Sequence, residues 1–282
     1  TDPTDPTDPT DPTDPTDPTD PTDPTDPTNP TNPTNPTNPT NPTNPTNPTN
    51  PTNPSTPDTS IPAQGATIKD TAKGVEYKVI TPGSKTSTTA GKAAYVKTTS
   101  TSTNVTVPAT VKIDGITYQV TSIAANAFKN NKKIKQVTIG KNVKVIGTNA
   151  FYGCTKLKTV KIGNNVSIIN EGAFRGCTNL TKLTLGSGVV LIDNNAFYGC
   201  KKLTSVTIPS KVKIIGKKAF YGCKKLKNIT IKSKLLTSKN VGSNAFKGIY
   251  SKAAIKVPSS KLSSYKKILK AKGVGSKATI RK

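Results

Sequence analysis

The chain has 282 residues, among them 24 Pro and no Met, Trp or His, and its net charge is +26 at neutral pH. Without His it lacks the commonest general base and the commonest nitrogen ligand for metals, and no apolar run approaches the ~18 residues that suggest a membrane span. The excess of Lys and Arg, 41 against 15 acids, predicts attraction to anionic polymers or surfaces.

Residues 1–54 are nine Thr-Asp-Pro triplets (Thr1–Pro27) followed by nine Thr-Asn-Pro triplets (Thr28–Pro54). They contain no Leu, Val, Ile or aromatic residue, so they cannot build a core. Pro at every third position fixes φ and pushes the preceding residue to extended geometry, in step with the three-residue turn of polyproline II. A low-complexity stalk, disordered or polyproline II, is expected here. At ~3.1 Å per residue it would reach on the order of 170 Å when extended. The same composition also suits an inert linker, and its Thr and Pro content admits O-glycosylation. The tract holds 9 of the 15 acids and no base, which leaves residues 55–282 with all 41 bases and 6 acids, a balance of +35. With no Met present, a fragment or processed form is expected, and the lack of a visible signal peptide carries no weight.

Residues 55–117 are expected to hold a linker and an N-terminal β cap. Gly74–Ile80 and Thr101–Val120 alternate apolar and polar residues, as half-buried strands do, with a hairpin turn at Asp114-Gly115. The stretch between them, Thr81–Tyr95, is expected to be a loop.

From 118 to 258 the sequence repeats. Lys141–Gly163 is followed by three further 23-residue units with the same apolar columns. An Ala-Phe pair ends at Phe128, Phe151, Phe174, Phe197, Phe220 and Phe246, spaced by 23, 23, 23, 23 and 26 residues, and these are all six Phe of the chain. A fixed period of this length marks a solenoid whose rungs bury a common core against their neighbours. Each unit has an LxxVxI segment, for example Leu157, Val160 and Ile162, which suits a short parallel strand. It also has a VxxI segment, for example Val166 and Ile169, expected on the opposite wall. The longer last spacing implies a bulge or loop. Residues 259–282 are expected to be a C-terminal cap. Leu262, Tyr265, Ile268 and Leu269 recur at helical spacing, Ser259 or Ser260 can cap the helix, Gly273 can end it, and the final residues suit an edge strand.

Thr204–Leu226 reads TSVTIPSKVKIIGKKAFYGCKKL, which resembles the repeat of the BspA-like leucine-rich-repeat family almost position for position. The resemblance covers roughly residues 74–282 and implies a β-rich leucine-rich-repeat solenoid. It also implies an extracellular, bacterial cell-surface protein that binds or adheres, with a host or matrix protein as partner. No catalytic residue travels with the pattern, so neither an enzyme nor a cofactor is expected. The stalk tract lies outside it.

Four groups of residues invite a functional reading. Cys154, Cys177, Cys200 and Cys223 fall in one column, and Asn131 holds that place in the first unit. Rungs ~4.8 Å apart permit a disulfide by distance, but stacked side chains run parallel, and free buried thiols at a turn fit better than disulfides or a metal. Glu171 and Asp193 fall at neighbouring phases of successive rungs, where a carboxylate pair for glycoside cleavage or two solvated turn residues are the alternatives. Tyr152, Tyr198 and Tyr221, with Arg175 in the same column, form either a binding ladder or a cover for the core. On the LxxVxI wall Thr138, Lys161, Thr184, Thr207 and Thr230 point outward, with Lys158, Lys182 and Lys227 beside them. These eight residues are the expected ligand face, since solenoids commonly bind on an extended sheet face.

The bases are 39 Lys and only 2 Arg, Arg175 and Arg281. Few Arg and few aromatics argue against a specific nucleic-acid reader and for diffuse contact with an anionic glycan or wall polymer. The expected protein is thus a monomeric, non-enzymatic surface binder. A wall-associated module held by charge to anionic polymer is the alternative, and a wall-active enzyme with its catalytic part elsewhere is a weaker third.

Overall fold

A computed structural model describes residues 61–282. The expected stalk and the start of the linker lie outside the described residues. Six strands begin the fold: β1 (Thr67–Asp70), β2 (Val75–Thr81), β3 (Gly91–Thr98), β4 (Asn104–Val107), β5 (Thr110–Ile113) and β6 (Ile116–Ile123). β1, β2 and β3 form an antiparallel meander, and β3 then pairs in parallel with β6. The cap therefore lies directly against the first open rung, covering a strand edge that would otherwise be free. β5 and β6 form the hairpin expected at Asp114-Gly115, both residues having positive φ (49° and 80°).

Two expectations about this region need correction. Thr81–Tyr95 is not a loop throughout, because β3 begins at Gly91. Ala93 and Tyr95 face inward with the small Gly91, an alternation the sequence hides behind residues of little apolar bulk. The solenoid also begins inside the expected cap. β4 pairs in parallel with β7 (Gln136–Ile139), which puts Val105 and Val107 in the columns of Val137 and Ile139. β6 runs across residue 117 and pairs with β8 (Val145–Ile146), the first strand of the opposite wall.

The next rungs contribute one strand to each of two walls, and the last ones a strand to the first wall only. The strand wall continues through β9 (Thr159–Lys161), β11 (Lys182–Thr184), β13 (Ser205–Ile208), β15 (Asn228–Ile231), β16 (Ala254–Lys256) and β17 (Thr279–Arg281). The opposite wall continues through β10 (Ile168–Ile169), β12 (Leu191–Ile192) and β14 (Ile214–Ile215). All rung pairings are parallel and in register, as the phase of the apolar columns requires. Between the walls runs the Phe column. Neighbouring rings from Phe128 to Phe246 are stacked 4.7–5.6 Å apart. Tyr95 of the cap extends the stack, 5.1 Å from Phe128, and Tyr77 meets Tyr95 edge-on. Two residues of each turn adopt positive φ. The one before Ala-Phe is Asn126, Asn149, Gly172, Asn195, Lys218 or Asn244, and the other is Asn130 or a Gly. Asn and Gly tolerate this conformation, whereas Lys218, at φ 54°, holds it at a steric cost.

The strand wall is interrupted once. β4, β7, β9 and β11 form one sheet and β13, β15, β16 and β17 another, with no pairing between β11 and β13. Lys182 N–H donates to Lys158 O and Asn228 N–H to Thr204 O, but Ser205 makes no such bond to its neighbour. Two sequence changes coincide with the break. Leu183 and Leu185 replace the β-branched residues of the other rungs and are only partly buried. Pro209 sits where Gly140 donates to Val107 O and Lys232 to Ile208 O, and it has no N–H to give Leu185. One rung earlier the backbones crowd instead, since a Cβ on Gly186 would strike Gly163 O.

The extra residues of the last long unit form a loop between β15 and Val241, which bridges to Ile215. Ser233 is fully buried there, its hydroxyl donating to Val212 O at 2.6 Å, and Tyr265 donates to Ser233 O and accepts from Leu236 N–H. Tyr265 belongs to α1 (Leu262–Ala271). Neither Ser259 nor Ser260 caps α1. A 3-10 turn follows Pro258, closed by Lys261 N–H to Pro258 O, and the helix starts one turn late without a side-chain cap. Its other end is as expected. Gly273 N–H bonds Lys270 O and Val274 N–H bonds Leu269 O, a Schellman closure with Gly273 at the positive-φ position. Among the described residues no helix is long and apolar enough to cross a membrane.

Candidate binding surface

The parallel register decides which outward side chains become neighbours. Thr106, Thr138, Lys161 and Thr184 form one row across the first sheet of the strand wall. Thr207, Thr230, Lys256 and Arg281 form the corresponding row across the second. Lys182 lies in the row beside the first, with Thr159, Gln136 and Asn104. Lys158 and Lys227 stand one residue before β9 and β15. Of the eight expected residues, Thr138 and Thr230 are partly buried and the other six are exposed. The Lys227 ammonium sits 5.2 Å from the centre of the Tyr250 ring. The structure thus brings Thr138, Lys161 and Thr184 together and Thr207 and Thr230 together, on either side of the break. Thr106, Lys256 and Arg281 extend these rows beyond the expected set. The sequence does carry a signal for Thr106, because Val105-Thr106-Val107-Pro108 repeats the pattern of Val206-Thr207-Ile208-Pro209.

A second row runs along the turns that follow Phe. Tyr152, Arg175, Tyr198 and Tyr221 stack in order, the Arg175 guanidinium 5.7 Å from the Tyr152 ring and 5.1 Å from the Tyr198 ring. Tyr198 and Tyr221 lie 5.1 Å apart and nearly parallel. Lys129 and Lys218 add ammonium groups over Tyr152 and Tyr221, each at 5.8 Å. Contacts of this kind contribute about 0.5–1 kcal/mol each at exposed sites. Tyr198 and Tyr221 stack on each other, Tyr152 packs on Arg175, and all three rings are half-buried.

The cysteines are free and buried. Each thiol donates to the carbonyl of the preceding rung's Phe: Cys154 to Phe128, Cys177 to Phe151, Cys200 to Phe174 and Cys223 to Phe197, at 3.0–3.3 Å. Burial pushes Cys154 and Cys223 up to about 12 and the two central thiols well above their ordinary value. These are unreactive, structural thiols rather than nucleophiles. In the first rung Asn131 takes the same place and accepts from Lys133 and Ile134 N–H. Asp193 accepts from Asn194 N–H at 2.7 Å, whereas Glu171 accepts from the Asn195 amide at 3.4 Å. The two carboxylates share no partner. Among the described residues no cluster of His, Cys, Asp or Glu has the arrangement to hold a metal.

Stacked 23-residue rungs, a buried aromatic column and an outward polar sheet face define a leucine-rich-repeat solenoid. The chain belongs to the BspA-type leucine-rich-repeat family, whose repeat region matches in six copies within residues 88–200, 121–252 and 190–271. Among solved structures it is similar to a leucine-rich-repeat protein from Bacteroides ovatus, with 26% identity and a TM-score of 0.53 over 66% of this chain and 46% of that one. A leucine-rich cell surface protein from Faecalibacterium prausnitzii matches at 26% identity and a TM-score of 0.49, over 68% of this chain and 54% of that one. The leucine-rich repeat protein of T. pallidum shares the fold, at 23% identity and a TM-score of 0.51 over 67% of this chain and 92% of that one. The chain spans about half the length of the first two. No curated protein matches it.

Proposed function

We propose that the chain is a non-enzymatic binding and adhesion protein of the bacterial cell surface, presenting a basic solenoid. The observation that carries this reading is the pair of in-register Thr and Lys rows on the strand wall, with Thr138, Lys158, Lys161, Lys182, Thr184, Thr207, Lys227 and Thr230 as the ligand face. On each side of the break the paired strands hold these side chains at a ~4.8 Å repeat, which limits the ordering lost on binding. Membership of a family built on this repeat supports a repeat-mediated role. The partner is a host or matrix protein, bound by a monomer.

A different observation favours the alternative of a wall-associated module held by charge. Lys133, Lys156, Lys202 and Lys225 repeat at one turn position, away from the strand wall, and all are exposed. Such lysines suit diffuse attachment to anionic wall polymer. Binding to matrix proteins and to purified wall, measured over a salt series, separates the two. Saturable binding to a protein that survives ~0.5 M salt and falls at least about tenfold in a K161T/K182T variant supports the first. Binding to wall alone, abolished by salt and indifferent to that variant, replaces it with the second.

A further inference from the structure

The turn side carries a feature that the strand-wall reading does not use. Asn130, Lys132, Tyr152, Gly153, Arg175, Gly176, Thr178, Tyr198, Gly199 and Lys201 line a groove of about 390 Å³. It crosses four successive rungs, and the rungs of Arg175 and Tyr198 each offer it the same three kinds of group. A phenol or guanidinium edge forms one side. A Gly forms the floor at positions 176 and 199, with φ of 72° and 68°, where the missing side chain leaves the backbone open to close approach, whereas Gly153 is buried beneath the Asn130 amide. Lys132, Thr178 and Lys201 form the other side. The Lys132 ammonium is anchored on Gly153 O at 2.9 Å.

Arg175 is the exception in this row. The rungs on either side have Tyr at its position, and it is one of 2 Arg among 41 bases. Tyr152 and Tyr198 clamp its guanidinium from both faces, which leaves the planar edge free to donate. It has no ion-pair partner. The salt bridges among the described residues belong to Asp70 and Glu76. The acid nearest in sequence, Glu171, lines an adjoining hollow that Arg175 and Tyr198 also border, together with Asn194, Asn195, Lys217 and Lys218, but it forms no ion pair with Arg175, and the groove's own lining holds three cations and no acid. A pre-ordered fork of this kind matches a carboxylate or sulfate with two parallel hydrogen bonds, which a Lys cannot reproduce.

We propose that this groove is a second binding site, separate from the strand wall, for a linear glycan bearing carboxylate or sulfate groups. The lining repeated on two rungs suits a repeating polymer, the phenol and Thr178 hydroxyls suit a hydroxyl-rich chain, and the bare floor at Gly176 and Gly199 admits a sugar ring. Arg175 takes the anionic group, with Lys132 and Lys201 on the neighbouring units.

The test is a titration of the full chain, at about 0.15 M salt, with heparin (sulfated), polygalacturonate (carboxylated), dextran (neutral), polyglutamate and a DNA duplex. Saturable binding of heparin or polygalacturonate is expected, with dextran unbound and polyglutamate and DNA weaker. R175K keeps the charge and R175Y restores the residue of the neighbouring rungs, so each controls for the fold of the other. Both should lose about tenfold in affinity for the glycan, and K161T/K182T should change it less than about twofold. Wild-type affinity in R175K, loss in K161T/K182T instead, equal binding of polyglutamate or DNA, or binding of neither anionic glycan would each overturn the assignment. The strand-wall variant reads the other surface on its own, so failure of one site is distinguishable from failure of the other.

Discussion

Along the Phe column every ring from Phe128 to Phe246 lies 4.7–5.6 Å from the next, whereas along the strand wall the ladder stops at Thr184 and restarts at Ser205. Backbone bonding follows the same division. Phe128, Phe151, Phe174, Phe197 and Phe220 each donate their N–H to the Ala carbonyl of the next rung at 2.7–2.8 Å, with no rung omitted. Both regions come from the same 23-residue unit. The difference shows where the unit is tied together. The Phe side combines a buried ring and a backbone bond at every rung, and a buried thiol at the four rungs from Phe151 to Phe220. The strand wall absorbs substitutions such as Leu183, Leu185 and Pro209 at the cost of one pairing, and can therefore vary its outward residues. A surface that varies while its support stays fixed is what a binding module requires.

The comparison is broken most severely at the ring column. Phe174→Ala should cost about 3–5 kcal/mol, since the ring is fully buried between two others. Leu183→Ala, on the strand wall beside the break, should cost less than about 2 kcal/mol because its side chain is already partly exposed. Denaturant midpoints of the two variants check this, and equal losses would erase the distinction. Gly186→Ala comes next, at about 1–3 kcal/mol, because its Cβ meets the Gly163 carbonyl on the tightly packed side of the same rung.

The thiol column sharpens the comparison through pH. Burial raises the folded-state pKa of Cys154 and Cys223 to about 12, above their ordinary value of 9.0. The stability gained by keeping these thiols protonated is complete below about pH 9. It is lost as pH rises through that value towards 12, because the unfolded chain releases its protons first. At pH 8 a thiol-specific disulfide reagent should label none of the four in the native state and all four after denaturation. Fast native labelling would place the column outside the core. The smallest effect is expected at Lys218. Replacement by Asn or Gly relieves its φ of 54° and should stabilise the fold by about 0.5–1 kcal/mol, read as a rise in Tm.

The parts of this fold that were legible in sequence are those where period and residue type agree. Six Phe at constant phase announced the column, and the LxxVxI and VxxI segments announced both walls. The first rung stayed hidden because the β5–β6 hairpin sits inside it. Val105 pairs with Val137, a separation of 32 residues instead of 23, so no period reveals it. The strand at Gly91–Thr98 was hidden by small inward residues. The break after β11 was hard to read, because Leu183 and Leu185 keep the apolar pattern and Pro209 stands where a Gly ends the strand in other rungs. Among the candidate surfaces, the Thr and Lys columns were readable one rung at a time. Which of them adjoin across the break depends on pairing that no single rung encodes. Tyr152, Arg175 and Tyr198 were visible as a column. The groove beside them was not, since its floor is made of Gly176 and Gly199, residues that the turn alone explains.

The central claim is that the Phe side ties the rungs together and leaves the strand wall free to vary. Residue-resolved native-state hydrogen exchange tests it most directly. The claim predicts that the amides of Phe151, Phe174, Phe197 and Phe220 exchange only through global unfolding, that Asn228 is protected by its bond to Thr204, and that Ser205 and Thr207 exchange far faster than either. Uniform protection along both walls, or fast exchange at the Phe amides with Ser205 and Thr207 protected, would contradict it.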